Sequence, residues 1–408
     1  MGSMSHPTNP LTTPTYDGSG QAVHPAVLDF GSGGSWAGYR YWMAMTPYPG
    51  GNDYYENPSL LASSDGQSWV VPSGITNPLD GPPSDYDQWD NHMADSALVH
   101  DAGSDTLWVY YVEFHETSNA IWVHCMEVSS SFSKTKHARI LTTTATNPIL
   151  SPTVVREDAT HWHMWHTRYP IDGANLGIVY RASSDGLTWG DAQVCTGLVR
   201  TTFPAHYPWH VHAEVVGNAV EIVVSTTTNG TSPAPGGKIV KASTTVASPT
   251  ALTFEAWALL DPLSSGWDSN YLYRASGNSS RLWYSACNTA LNWRIGYAVP
   301  SVDVWQQATL RNPWVDYDQL TYGFAAFCKD ADGWVHLRGL IKNGTPGSGS
   351  ICLNLPTGYR PDKRWVAQVP SAASPAIGRI DVTADGDVIV VVGSSAWTSL
   401  CVPPFYAP

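Results

Sequence analysis

The heptapeptide Ser63-Ser-Asp-Gly-Gln-Ser-Trp69 returns 120 residues later as Ser183-Ser-Asp-Gly-Leu-Thr-Trp189. An Asp-Gly pair between two strands makes a tight hairpin, and the Trp that follows can cap the packed surface. Weaker copies at 127–132 (EVSSSF) and 241–245 (KASTT) halve the spacing to roughly 60 residues, the scale of one propeller blade. A second series agrees. Segments leading into a strand pair lie at His24, Asp95, Ser151, His212 and Tyr271, with gaps of 71, 56, 61 and 59 residues. Each precedes an aromatic, β-branched run: 39–45, 107–112, 162–166, 220–225 and 281–285. The two series predict five units of four strands, a five-bladed β-propeller spanning 20–303.

No segment carries a sustained 3.6-residue apolar stripe, and 35 Gly with 30 Pro punctuate the short runs, so the whole chain reads as all-β. After Pro300 the repeat stops. Residues 304–408 read as a small C-terminal β-sandwich, with strands expected at 320–327, 334–341, 351–355, 380–383 and 387–392. The hairpin pairs Asp332-Gly333 and Asp385-Gly386 separate them. Residues 1–19 read as an N-terminal arm or linker without an export signal. Lys and Arg number 21 against 34 Asp and Glu, a net charge of −13 without a basic cluster, so nucleic acid is excluded as a partner. No apolar run reaches the length a membrane helix needs, so membrane insertion is not expected. The six Cys are scattered and form no C-x-x-C pair, which predicts free thiols made in a reducing cytoplasm.

In a propeller, the starts of the inner strands and the loops between second and third strands gather on one face. Here they are rich in rings with polar tips, the chemistry that stacks on and hydrogen-bonds sugars. The expected ligand-binding set is His24, Tyr48, Asp53, Glu56, Trp89, Asp90, His92, Asp95, Arg168, Trp209, His210, His212, Trp267, Tyr273 and Arg274. If the protein hydrolyses glycosidic bonds, Asp95 and Glu214 are the expected carboxyl pair. His24, His92, His210 and His212 all project toward the axis, but no ligand spacing is diagnostic. No metal or other cofactor is therefore assigned, beyond a structural cation in the channel. There is no G-x-S-x-G and no phosphate loop.

The motifs His24-Pro-Ala-Val, 38–50 (GYRYWMAMTPYPG), Tyr55-Glu-Asn-Pro-Ser59 and Pro208-Trp-His resemble a propeller module of phage tail proteins. Residues 335–341 (VHLRGLI) and 355–361 (LPTGYRP) resemble the C-terminal β domain of tail fibres, and together they suggest the minor tail proteins of actinobacterial phages. That resemblance implies a virion protein that binds a host cell-surface polysaccharide, contacts other tail proteins and forms a homotrimer through 304–408. It favours a binding protein over an enzyme. More remotely the propeller resembles five-bladed glycoside hydrolases acting on furanosides. The family's Asp before the first inner-strand Pro is here His24, and its second-blade Asp is matched by Asp95. The alternatives are thus a depolymerase of envelope arabinan or galactan, or an architectural tail component.

Overall fold

The computed structural model describes residues 4–5, 9–87, 91–115, 119–144, 149–168, 177–229, 234–260, 267–300, 305–311, 313–329, 334–372 and 376–407. The chain divides into two compact units, His6–Val299 and Pro300–Pro408 with Met1–Ser5.

The larger unit is built from antiparallel sheets, each following the chain outward. The first holds β1 (Ala22–Asp29), β2 (Tyr41–Pro47) and β3 (Ser59–Ser63). The second holds β4 (Asn91–Asp101), β5 (Thr106–His115), β6 (Ala120–Ser129) and β7 (Lys134–Thr143). The third holds β8 (Leu150–Arg156), β9 (Trp162–Thr167), β10 (Ile178–Ser183) and β11 (Gln193–Val194). The fourth holds β12 (Tyr207–Val216), β13 (Ala219–Thr227), β14 (Ile239–Thr244) and β15 (Thr253–Leu260). The fifth holds β16 (Leu272–Asn278), β17 (Arg281–Cys287) and β18 (Trp293–Pro300). The innermost strands β1, β4, β8, β12 and β16 touch in that order, and β16 returns to β1, so the sheets surround an axis as propeller blades do.

The repeated heptapeptide serves as a clasp between sheets. Asp65 Oδ1 accepts from the backbone N–H of Gln67 (2.8 Å) and Ser68 (2.6 Å), and Ser63 Oγ accepts from Gly66 N–H (2.9 Å). Gly66 adopts φ +76, conformational freedom that glycine supplies without strain, and its carbonyl accepts from Trp283 Nε1–H of the fifth sheet (2.7 Å). The second copy repeats the turn: the carbonyl of Gly186 accepts from Tyr110 Oη–H of the second sheet (3.1 Å). Each heptapeptide thus docks on the sheet before its own. Trp69 and Trp189 are buried.

Leu11 lies in the buried cluster with Met43, Trp283 and Ile295, and Asn9 bonds both backbone groups of Tyr297. This packing ties part of the predicted arm to the fifth sheet.

The smaller unit is also antiparallel β. One sheet orders Ile351–Asn354, Asp387–Val392, Ile377–Val382 and Trp365–Pro370. Another orders Gln306–Gln307, Ala326–Lys329, Trp334–Arg338 and Phe405–Tyr406. A buried core of Trp314, Phe327, Leu337, Ile380 and Val390 draws on both. The strand expected over 320–327 begins instead as a helical turn, Gln319–Tyr322. Asp318 caps it by accepting from Leu320 and Thr321 N–H, and Gly323 at φ +73 ends it, so the strand starts only at Ala326. The hairpin pair Asp332-Gly333 lies outside the described residues.

Candidate metal centre on the propeller axis

Three of the five sequence markers are residues with unusual backbones. His24 (φ 55), Asp95 (φ 57) and Ser151 (φ 54) adopt left-handed conformations inside inner strands, and the β1–β2 and β4–β5 ladders shift register beside the first two. A bulge re-aims the side chain it carries, and left-handed backbone in a non-glycine residue costs about 1–3 kcal/mol unless the surroundings enforce it. The enforcement is a relay of side chains to the next strand. His24 Nδ1 lies 3.3 Å from Asp95 N, Asp95 Oδ2 accepts from Ser151 N–H (2.8 Å), and Ser151 Oγ accepts from Val211 N–H (3.3 Å). Each bulge therefore stitches the ring and turns its residue toward the axis.

Asp95 is fully buried, and its other oxygen, Oδ1, stands 3.3 Å from His24 Nε2 and 3.2 Å from His210 Nδ1. Each of the three atoms is buried from solvent, and none has a hydrogen-bond partner outside the trio among the described residues. Buried polar atoms left unpaired are costly and call for a partner. The three residues can hold a metal ion, their ligand atoms lying within 4.8 Å of one another. The two separations from Asp95 Oδ1, 3.3 and 3.2 Å, match the edge of a tetrahedron with bonds of about 2.0 Å, the usual Zn–N and Zn–O length. The donor set, two imidazoles and one carboxylate, is that of catalytic zinc sites and leaves a fourth position open.

Glu56 is buried beside this trio. Its Oε1 is 2.9 Å from His24 Nδ1, in direct contact with the ring. Burial raises the Glu56 carboxyl well above its ordinary range, and Asp95 and Asp53 add to the effect. Burial alone would raise Asp95 too, but neighbouring His24 and His210 outweigh it and hold that carboxyl low. Burial pushes His24 down to about 3 and lowers His210. Their contacts with Asp95 are therefore those of neutral rings with a carboxylate, the state in which imidazole ligates a metal. Tyr273 closes the floor: its ring stacks on His24 at 5.6 Å and lies 5.3 Å from His210.

Arg274 follows Tyr273 at the bulge of β16 and is fully buried, and none of its three guanidinium nitrogens makes a hydrogen bond among the described residues. Burial lowers it to about 10, so it keeps its charge at neutral pH and balances Asp95.

The structure thus gathers His24, Glu56, Asp95, His210, Tyr273 and Arg274, with Tyr48 6.1 Å from Tyr273. Asp53 accepts from Tyr86 Oη–H (2.6 Å) on the same loop system, and His92 stacks on Phe114. Glu214 is elsewhere. It lines a cavity of about 240 Å³ with Asp29 and Arg156, where the inner strands end, so Asp95 and Glu214 do not face one substrate. His212 shares that cavity and contacts Ser276 (3.4 Å), apart from the trio. Trp267 packs on Tyr284 at 5.6 Å, and Trp209 is a buried strand residue. Arg168 is half-buried after β9. Trp89 and Asp90 lie outside the described residues. Sequence reasoning placed all three in the ligand-binding set but did not group them as metal ligands, because they stand 71 and 115 residues apart, a spacing no local motif records.

No family model matches the chain. It is similar to the A type blood N-acetyl-α-D-galactosamine deacetylase of Flavonifractor plautii, 27% identical over 366 residues that cover 72% of this chain. The chain spans about half of that relative, 46% of its length. The crystal structure of an N-acetylgalactosamine deacetylase from F. plautii, in complex with blood group B trisaccharide, superposes with a TM-score of 0.64. Identity there is 22%, covering 73% of this chain and 96% of that one, and the two share a fold. An α-L-arabinofuranosidase from Lactobacillus brevis gives a TM-score of 0.45 at 12% identity, covering 70% of this chain and 91% of its own. These findings overturn the phage-tail reading and with it the preference for a binding protein: the similarity is to carbohydrate-processing enzymes. The motifs that suggested a tail module, His24-Pro and Pro208-Trp-His, contain the two histidines of the trio.

Proposed function

We propose that this chain is a carbohydrate-active hydrolase that removes the acetyl group from an N-acetylated amino sugar, with a divalent metal held by His24, Asp95 and His210. The observation that carries the reading is the trio itself: three buried ligand atoms that converge on one another and have no hydrogen-bond partner outside the trio among the described residues. The relative's activity supplies the substrate class. In the reaction, water adds its oxygen to the acetyl carbon, the C–N bond breaks, acetate leaves and the amine takes a proton. A divalent cation would supply Lewis-acid polarisation of the acetyl carbonyl and an acidified water. The trio orients that centre from three inner strands, while Tyr273 keeps solvent from its floor. Glu56 is the carboxyl placed to pass the proton from water to the departing nitrogen, and its contact with His24 ties proton transfer to ligand position.

A glycosidase reading competes, because Asp95 and Glu56 are two carboxyls in one site. The products separate the two. An N-acetylgalactosamine-terminated oligosaccharide incubated with the protein should yield acetate and an intact glycan bearing a free amine, by mass spectrometry. Shortened glycans with the acetamide retained would sink the proposal and favour glycosidic cleavage.

A further inference from the structure

A second cavity, of about 870 Å³, lies on the face of the second sheet. Its size falls within the range of ligand pockets. On β5 the alternating residues Val112 and Phe114 point into the apolar core, while Glu113 and His115 point the other way into this cavity. On β6, Trp122 stands directly opposite Glu113, and His124 lies two residues along the same face. A sheet face that only packed against its neighbour would carry apolar groups here.

The polar floor is fixed in place. Arg139 N–H donates to His124 Nδ1 (3.3 Å), which leaves His124 Nε2–H to face Glu113 Oε2 at 2.8 Å. His115 Nε2 lies 2.7 Å from Glu113 Oε1, so both carboxylate oxygens are engaged. Arg139 sits in a bulge of β7, where pairing with β6 jumps from His137 to Leu141, and it adopts φ +53. That conformation lays its guanidinium over the Trp122 ring at 3.7 Å, a second case of strained backbone aiming a side chain. The opposite wall is the loop from Asp80 to Asp85, pinned by Tyr111 Oη–H to Asp80 (2.6 Å) and by the Lys136–Asp80 pair (2.6 Å). Charges nearly cancel across the cavity: Lys136 is paired with Asp80, and Arg139 faces a floor centred on Glu113.

We propose that this cavity is a second carbohydrate subsite, which takes a neutral pyranose unit of the glycan over the Arg139–Trp122 stack and the fixed His115–Glu113–His124 floor. An aromatic ring bordered by rigid donors and acceptors, with charges that nearly cancel, suits an uncharged polyhydroxylated ligand. The inference rests on the glycan-hydrolase reading above. It adds a contact away from the reacting group: His115 pairs with Asn91 at the start of β4, four residues before Asp95 on that strand.

The test uses blood group B trisaccharide, which lacks the acetamide, as a probe of binding without turnover. Binding would be read by calorimetry and by hydrogen exchange over 106–143, on the full chain and on Trp122→Ala and Arg139→Ala. We expect protection of β5–β7, with the dissociation constant for that site raised tenfold or more by Trp122→Ala and several-fold by Arg139→Ala. Far-ultraviolet circular dichroism would confirm that both variants fold. Unchanged affinity in both folded variants, or protection confined to the inner-strand starts, would overturn the subsite. Acetate release measured in parallel keeps the two claims apart. Release without binding at β5–β7 removes the subsite alone, and binding there without release removes the deacetylase reading alone.

Discussion

If the trio of His24, Asp95 and His210 holds a cation as proposed, the binding makes a quantitative demand on stability. The fold buries His24 Nε2, Asp95 Oδ1 and His210 Nδ1 together, so a cation that binds them only in the folded chain must stabilise it. At a free concentration 100 times its dissociation constant the gain is about 2.7 kcal/mol. For a large domain, about 2 °C of melting temperature accompanies each kcal/mol, so the shift should be about 5 °C. Asp95→Asn is the informative control. Its amide oxygen can still accept the Ser151 N–H that Asp95 Oδ2 now accepts, so the stitch between β4 and β8 survives while the anionic ligand is lost. The assay is differential scanning fluorimetry of chelator-treated protein, titrated with Zn²⁺, Mn²⁺, Ca²⁺ and Mg²⁺. The parent should shift with at least one of these cations, and Asp95→Asn should shift with none. An absent shift in the parent, or an equal one in Asp95→Asn, would refute the reasoning.

Other consequences can be checked separately. Glu56→Gln should keep the fold but lose deacetylation by about 10²–10⁴-fold in kcat, the range for a lost general acid–base, as read by acetate release. Gly186→Ala forces a Cβ into a φ +72 turn, 2.9 Å from the Trp108 ring and the Tyr110 hydroxyl, and should destabilise the fold by about 1–3 kcal/mol in urea melts. Burial opposes ionisation of Glu113, but His124 and His115 outweigh it and bring its pKa down to about 2. Its depressed value means a contribution present above the unfolded value of about 4.3 and lost as pH falls toward 2, with Lys136, Arg139 and Asp80 facing the same group. Glu113→Gln should therefore flatten the stability–pH curve between about pH 4.5 and 2.

The ring of sheets was readable because its period is written twice, in the Asp-Gly heptapeptides and in the markers that begin the inner strands. His24, Asp95 and Ser151 stood out as markers for a reason that composition hides: the bulge they share demands a side chain able to bond the next strand. The same property concealed the site, because one oxygen of Asp95 serves the fold and the other serves the trio. Glu214 attracted attention as a carboxylate near His212, but strand position places it where the inner strands end. Glu56 was visible only as one polar residue in a loop of many. Its role comes from the turns at 49–51 and 53–55, which carry it inward. Family resemblance misled where it rested on the Trp-His and His-Pro motifs, whose histidines the fold brings together beside Asp95.

The central claim is best tested by re-metallating chelator-treated protein in steps and measuring acetate released from an N-acetylgalactosamine-terminated glycan. Acetate should appear in proportion to bound cation, saturate near one ion per chain, and vanish in Asp95→Asn with the glycan backbone uncut. Full activity in the chelated protein, or glycan shortening without acetate, would contradict it.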